Sequence, residues 1–417
     1  MAEILLEAGG ASPDQAEKTT NTTPLIICSQ RGLREAAELL LAKGASADRA
    51  DNNGWTPLLY SSSSGRPEMV KLLLDNGAEV NQAMSDGNTA LFFSSQEGFP
   101  EVAKVLLANG ANVDPVNESG VTPLIVSSQN LQLELAKLLL AGGAKVDQAA
   151  ITGATSLLQS SVKGSSEIAK LLLDNGANVN LADDNGYSPL FQSCRHGHLE
   201  LAKLLLANGA SVNQAINAGS TPLYVSSQFG HRGVAKLLLA KGANVDEACN
   251  NGATPLMGSS QGGQLEVVKL LLARGANVDL KNNGGYSALY QSCHEGRHEV
   301  AKLLLANGAK VDQAANDGLT PLSISRQRGH QGLADLLLAH VAKANRAEKE
   351  AAAAAETEGK PKRAARVCKK CGKEAEKTKR CSGCKLVRYC SEECQLGDWK
   401  EHKRSCGKPV ARREDEN

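Results

Sequence analysis

Apolar residues recur along most of the chain in short clusters at helical spacing, parted by polar, glycine-bearing stretches, and the arrangement returns every 33 residues. A Thr or Ser followed by Pro, Ala or Ser and then Leu stands at Thr23, Thr56, Thr89, Thr122, Thr155, Ser188, Thr221, Thr254, Ser287 and Thr320. The Leu two places on is present in all ten copies, from Leu25 to Leu322. An apolar triplet such as Leu72-Leu73-Leu74 follows 16 places after the Thr/Ser, and Gly follows 21 places after it in nine of the ten copies, Gly44 to Gly308. Each landmark has a physical role. A Thr or Ser side chain accepts a backbone N–H at a helix start, and Pro at the first helical position sacrifices no hydrogen bond. The pattern therefore predicts a short helix, as in TPLYVSSQ from Thr221, broken near Gly230. A second helix follows, as in GVAKLLLA, and ends where Gly242 supplies a left-handed residue. One such unit cannot bury its own apolar face; stacked neighbours can.

These residues resemble the ankyrin repeat, in which TPLIVSSQ…LELAKLLLAGGAKVDQA matches the family pattern in length and order. The resemblance covers roughly residues 1–341 and implies an all-α solenoid of about ten 33-residue helix-turn-helix repeats, at 23–341, after a partial repeat at 1–22. Two departures stand out. The family's His after TPL is replaced by Ile26, Leu59, Phe92, Ile125, Leu158, Phe191, Tyr224, Met257, Tyr290 and Ser323, which removes the residue that normally bonds the loop. The family's Ala pair in the first helix is mostly Ser-Ser, as in Ser94-Ser95 and Ser226-Ser227. Serine keeps the helices close and can return its hydroxyl to the carbonyl four residues back. A longer period is also visible: YSPLFQSC and YSALYQSC place Tyr187 and Tyr286, and Cys194 and Cys293, 99 apart. That points to duplication of a three-repeat block, which by itself carries no chemistry.

The ends differ from the middle. The chain opens inside what reads as a second helix, AEILLEAGG, either a capping half-repeat or the remnant of a longer sequence. Near the other end Val341 holds the register of the helix-ending Gly, so the last helix is expected to run from Gln331 to Glu358, roughly 40 Å at about 1.5 Å per residue. Gly359 and Pro361 then stop it, and KPKRAAR reads as a flexible basic joint, giving a linker over 342–367.

The whole chain has 417 residues, is 41% hydrophobic but only 3% aromatic, and has a formal charge of +1. So little aromatic bulk fits many small helical contacts better than one large core. The near-neutral charge conceals two halves: from Lys360 onward 18 Lys/Arg face 9 Asp/Glu, a net +9, leaving about −8 elsewhere. No run of 18 apolar residues exists to cross a membrane, and MAEILLEAGG lacks the basic and apolar regions of a signal peptide. A reducing, cytoplasmic or nuclear setting is expected, with cysteines as thiols or metal ligands.

Seven of the 11 cysteines fall in the last 50 residues as Cys368-x2-Cys371-x9-Cys381-x2-Cys384-x5-Cys390-x3-Cys394-x7-His402-x3-Cys406, leaving a tail at 407–417. Eight such ligands suffice for two tetrahedral Zn²⁺ ions. A disulfide cluster is the alternative, but it needs a secretory context. The spacing resembles the MYND finger over 368–406, ligand for ligand. The resemblance implies interleaved sites, with Cys368, Cys371, Cys390 and Cys394 on one zinc and Cys381, Cys384, His402 and Cys406 on the other. So short a module gains its folding free energy from metal. It further implies a groove for proline-rich peptides, with Ser382, Gln395 and Trp399 as the groove residues. A Trp face packs on Pro while Ser and Gln fix the peptide backbone, although Trp399 can equally serve as core filler of a very small domain. Seven thiolates and two Zn²⁺ would lower the tail's charge to about +6.

Two enzyme-like strings mislead. His294-Glu295-Gly296-Arg297-His298 spells H-E-x-x-H, yet Gly296 falls between the two helices of a repeat, so the histidines are not expected on one helix face. Gly258-Ser259-Ser260-Gln261-Gly262 matches G-x-S-x-G but lies inside a first helix rather than on a strand-to-helix elbow. The lysine methyltransferases that share this finger carry a catalytic domain that has no counterpart here. The expected function is therefore a non-enzymatic adaptor for proteins, with no small-molecule substrate. The alternative is a nucleic-acid-associated or transcriptional regulator using the basic tail, against which the scarcity of stacking aromatics argues. Ankyrin stacks bind through the first-helix face and turn tips, which in this register include Trp55, Val121, Tyr187, Arg195, His196, Phe229, Tyr286, His294 and Arg328. The four aromatics among them are candidate anchors, with inter-repeat packing as their other use. Cys28, Cys194 and Cys293 fall at small packing positions. Cys249 lies in a turn and is expected to be exposed, as are His196 and His294, while His198, His231 and His330 read as structural.

Overall fold

The computed structural model describes residues 12–358 and the backbone of 379–380 and 388–389, with side chains described through Arg346. Residues 1–11 of the partial repeat at 1–22 and all eight cysteine and histidine ligands lie outside the described residues. The chain divides into two units, 1–338 and 339–417.

The first unit is a stack of helix pairs in the register the 33-residue period predicts. At all ten Thr/Ser positions the side-chain oxygen accepts the backbone N–H three residues on, at 3.2–3.4 Å. Each cap residue has extended backbone, so it sets the chain's entry into the first helix, as at Thr221 before Pro222–Gln228. At Thr320 the family's missing His has a substitute: Ser323 accepts the Thr320 N–H at 2.7 Å, closing a reciprocal cap.

Every second helix buries one narrow face. In Leu199–Ala207 the buried residues are Leu201, Ala202 and Leu205. The middle Leu of each triplet, from Leu73 to Leu337, is fully enclosed. Beside it runs a column of small residues, including Ala103, Ala136, Ala169, Ala202, Ala235 and Ala301, that admits the neighbouring helix. A core of Leu, Val and Ala thus needs few rings.

The bonding absent from the His position is spread over other groups. Before several caps an Asp or Asn accepts N–H groups of its own turn: Asp51 from Asn53 and Trp55, Asp183 from Asn185 and Tyr187, Asn282 from Gly284 and Tyr286. Between repeats an asparagine ladder runs from amide to carbonyl, from Asn217 to Asp184, Asn250 to Asn217, Asn283 to Asn250 and Asn316 to Asn283, at 2.8–3.0 Å. Asp48, Asp114, Asp147, Asp246 and Asp279 each accept an N–H from the next repeat.

The serine pair differs from its expectation. The first serine of each pair donates to the Leu carbonyl three residues back, as Ser94 does to Leu91. Only Ser128 and Ser161 in the second position, and Ser325 in the first, bond four back. Ser29, Ser62, Ser95, Ser227 and Ser260, fully buried in the second position, have hydroxyls with no partner.

The last helix spans Gln331–Glu358, the limits its composition predicts. In the second unit two short strands, Lys379–Arg380 and Arg388–Tyr389, pair antiparallel, with Lys379 opposite Tyr389. In sequence they flank the segment holding Cys381 and Cys384, and Cys390 follows directly. Among the described residues no helix is long and apolar enough to cross a membrane.

Candidate interaction surface and finger

The face formed by first-helix ends and turn tips holds the solenoid residues singled out above, and they fall into three environments. Trp55 is half-buried, its ring 4.6 Å from Phe93 and 4.9 Å from Tyr60, so much of it is committed to inter-repeat packing. Val121 is likewise half-buried. Tyr187 and Tyr286 are half-buried against Phe191 and Tyr290, at 5.4 and 4.6 Å between ring centres. Of the four candidate aromatics only Phe229 stands exposed, at 49%. Arg195, His196 and Arg328 are exposed.

His294 is half-buried rather than exposed. Its Nδ1 lies 2.9 Å from a Glu295 carboxylate oxygen, and its Nε2 meets the Arg328 guanidinium. It ends the helix Ala288–His294, whereas His298 begins the next, and Gly296 between them has φ +72°. The H-E-x-x-H string is therefore split across two helices, and among the described residues no cluster of three metal-ligating side chains occurs.

The histidines ten places after the cap have a defined task that the sequence did not disclose. Nε2 of His198, His231 and His330 lies 3.3, 3.0 and 3.2 Å from the carbonyls of Val162, Arg195 and His294 in the preceding repeat. Arg297 performs the same bridge to Gln261, at 3.1 Å. The glycine before each site makes room: a Cβ on Gly164, at φ +81°, would sit 2.6 Å from the His198 ring. Burial, helped by the nearby charges of His198, Arg195 and His231, keeps His196 below the usual imidazole range.

All four described cysteines are buried thiols, Cys249 included. The turn encloses Cys249, whose sulfur lies 3.3 Å from Ser220 Oγ, so it is not the exposed thiol its position implied. Burial pushes Cys194 up to about 12 and Cys293 up to about 11, which removes both from thiolate chemistry near neutral pH.

In the finger, the donor set of seven thiols and one imidazole suits zinc, a borderline-soft ion that takes sulfur and nitrogen together. Its groove candidates Ser382, Gln395 and Trp399 lie outside the described residues.

Comparison with known proteins agrees with both readings. The family described as ankyrin repeats (3 copies) matches in overlapping stretches at 1–84, 81–150, 143–216, 212–282 and 259–348. The family described as MYND finger matches 368–406. The chain is 49% identical over 41 residues to SET domain and MYND-type zinc finger protein 6 of Schizosaccharomyces pombe, 10% of this chain and 8% of that protein. It is 50% identical over 40 residues to Protein CBFA2T2 of Homo sapiens, 10% of this chain and 6% of that one, and 58% identical over 40 residues to Ubiquitin carboxyl-terminal hydrolase 19 of Arabidopsis thaliana, 9% and 6%. The chain thus spans under a tenth of the length of these relatives, and those with SET domains match the finger segment alone. With most of its length in one continuous array of matched repeats, the chain belongs to the ankyrin-repeat family and carries a C-terminal MYND zinc finger.

Proposed function

We propose that this protein is an adaptor that holds one protein on the solenoid and a proline-containing peptide of another in the finger, each finger carrying two Zn²⁺. The observation that carries this reading is the pairing on one chain of two unrelated interaction modules, a stack over 1–348 and a finger over 368–406. Two modules on one chain gain avidity for a single partner or bridge two. In the finger, Cys368, Cys371, Cys390 and Cys394 would hold one ion and Cys381, Cys384, His402 and Cys406 the other. The ions supply structure, and Ser382, Gln395 and Trp399 would supply the grip on peptide. The uncharged rings and amides of this set fit a peptide better than a phosphate backbone. A cytoplasmic or nuclear location fits buried, reduced thiols.

Affinity capture from cell extract with the full chain tests this. Trp399→Ala is expected to lose one set of captured proteins, and a Tyr187→Ala/Tyr286→Ala double variant a different set. Capture unchanged in both variants would contradict the proposal.

A further inference from the structure

We propose that two clefts three repeats apart form a matched pair that reads one extended acidic segment of a partner protein, a reading that rests on the solenoid being the protein-binding module proposed above. The first cleft, about 180 Å³, opens between the repeats capped by Ser188 and Thr221, with Tyr187, Phe191, Arg195 and Phe229 in its walls. The second, about 290 Å³, opens between those capped by Ser287 and Thr320, with Tyr286, Tyr290, His294, Asp317 and Arg328. Tyr286, Tyr290 and His294 stand 99 residues after Tyr187, Phe191 and Arg195. The duplicated block has therefore built the same aromatic wall twice, with ring centres 5.4 Å apart in one cleft and 4.6 Å in the other.

Each wall stands beside a guanidinium that makes no direct ion pair with a carboxylate of the described residues. Arg195 lies over the Tyr187 ring at 6.0 Å and forms no ion pair. Arg328 meets the ring of His294, whose other nitrogen faces Glu295, and Asp317, though in the same cleft, does not pair with it. The cation has changed walls between the two clefts while the ring pair has stayed. An exposed guanidinium at the edge of a ring pair suits an acidic side chain flanked by an aromatic one: the carboxylate takes two N–H donors and the ring packs on the wall. The exposed Phe229 adds a second surface for that ring in the first cleft.

The spacing selects the ligand class. Between the clefts, the first-helix end at the matching positions carries Gln261 and Gly262, with no cation. A nucleic-acid strand, charged about every 3.4 Å, would leave most phosphates unmatched there. A peptide with acidic anchors at its two ends would not. With neighbouring helices about 8–10 Å apart, three to four repeats separate the anchors by about 24–40 Å. At about 3.3 Å per extended residue, that is about eight to twelve residues.

The test is an immobilised array of Gly/Ser peptides bearing two Glu-Phe anchors separated by 2 to about 20 residues, probed with the full chain and with Arg195→Ala and Arg328→Ala. Both arginines are exposed, so unchanged thermal midpoints would show the variants folded. The expected result is strongest binding at a separation of about eight to twelve residues, falling about tenfold or more in either variant. Binding that ignores separation, binding that survives both substitutions, or no binding to any peptide would overturn the inference. So would tighter binding to a dT oligonucleotide that the same substitutions abolish. Partner capture from extract that persists while the array fails would sink the paired clefts and leave the adaptor reading standing.

Discussion

Five serines in the second small position of the first helices, Ser29, Ser62, Ser95, Ser227 and Ser260, carry buried hydroxyls that meet no hydrogen-bond partner. A buried hydroxyl without a partner costs about 1–3 kcal/mol in desolvation, whereas one hydrogen-bonded to a carbonyl contributes a net of about 0.5–1.5 kcal/mol. Ser95→Ala is therefore expected to stabilise the stack by about 1 kcal/mol, while Ser128→Ala, which loses a bond to Leu124, is expected to be neutral or slightly destabilising. Urea-unfolding midpoints of the two variants check this; a lower midpoint for Ser95→Ala would show that its hydroxyl has a native partner. At this scale the sequence was legible in kind and not in geometry. It showed that both serines are small and able to bond backward. Whether a hydroxyl reaches the carbonyl three or four residues back, or none, depends on its rotamer and on the facing helix, neither of which the 33-residue period encodes. Cys249 missed for a similar reason: a turn residue reads as exposed until the preceding repeat, here with Ser220 at its sulfur, is packed against it.

Elements cohere through bonds that cross from one repeat to the next. In the carboxyl-terminal half of the stack, His198, His231, Arg297 and His330 tie the start of each second helix to a carbonyl ending the preceding first helix. The corresponding positions earlier in the chain are Leu33, Arg66, Phe99, Gln132 and Ser165, for which no such bridge is found among the described residues. His231→Ala is expected to cost about 1 kcal/mol, a typical net hydrogen bond, and to raise amide exchange in Pro222–Gln228 and its neighbours while leaving Pro57–Ser63 unchanged. Hydrogen exchange read by mass spectrometry checks this, and a uniform rise along the stack would refute a local staple. The caps, the helix pairs and even the limits of Gln331–Glu358 were legible because each rests on local chemistry: a Thr acceptor, a Pro at the start, a Gly at the end or its absence. The staples were not, because each acceptor is a backbone carbonyl 36 residues earlier.

The whole molecule joins modules held together by different forces. The stack is stabilised by apolar burial between neighbours, and the finger by thiolate–zinc bonds. The charge asymmetry, about −8 ahead of Lys360 and +9 after it, follows the same division. The finger itself was legible over 368–406, since metal chemistry fixes residue types and intervals in sequence, while the pairing of its ligands, the groove residues and the solenoid's partner-binding positions rest on resemblance and register. The two modules are expected to fold independently, and zinc is the agent that separates them. The most direct measurement is native mass spectrometry of the purified chain before and after chelation, with circular dichroism of the same samples. Two zinc ions per chain are expected, lost on chelation and also lost in Cys390→Ser, with helical signal falling only slightly in each case. Fewer than two ions in unchelated protein, or collapse of the helical signal when the metal leaves, would contradict it.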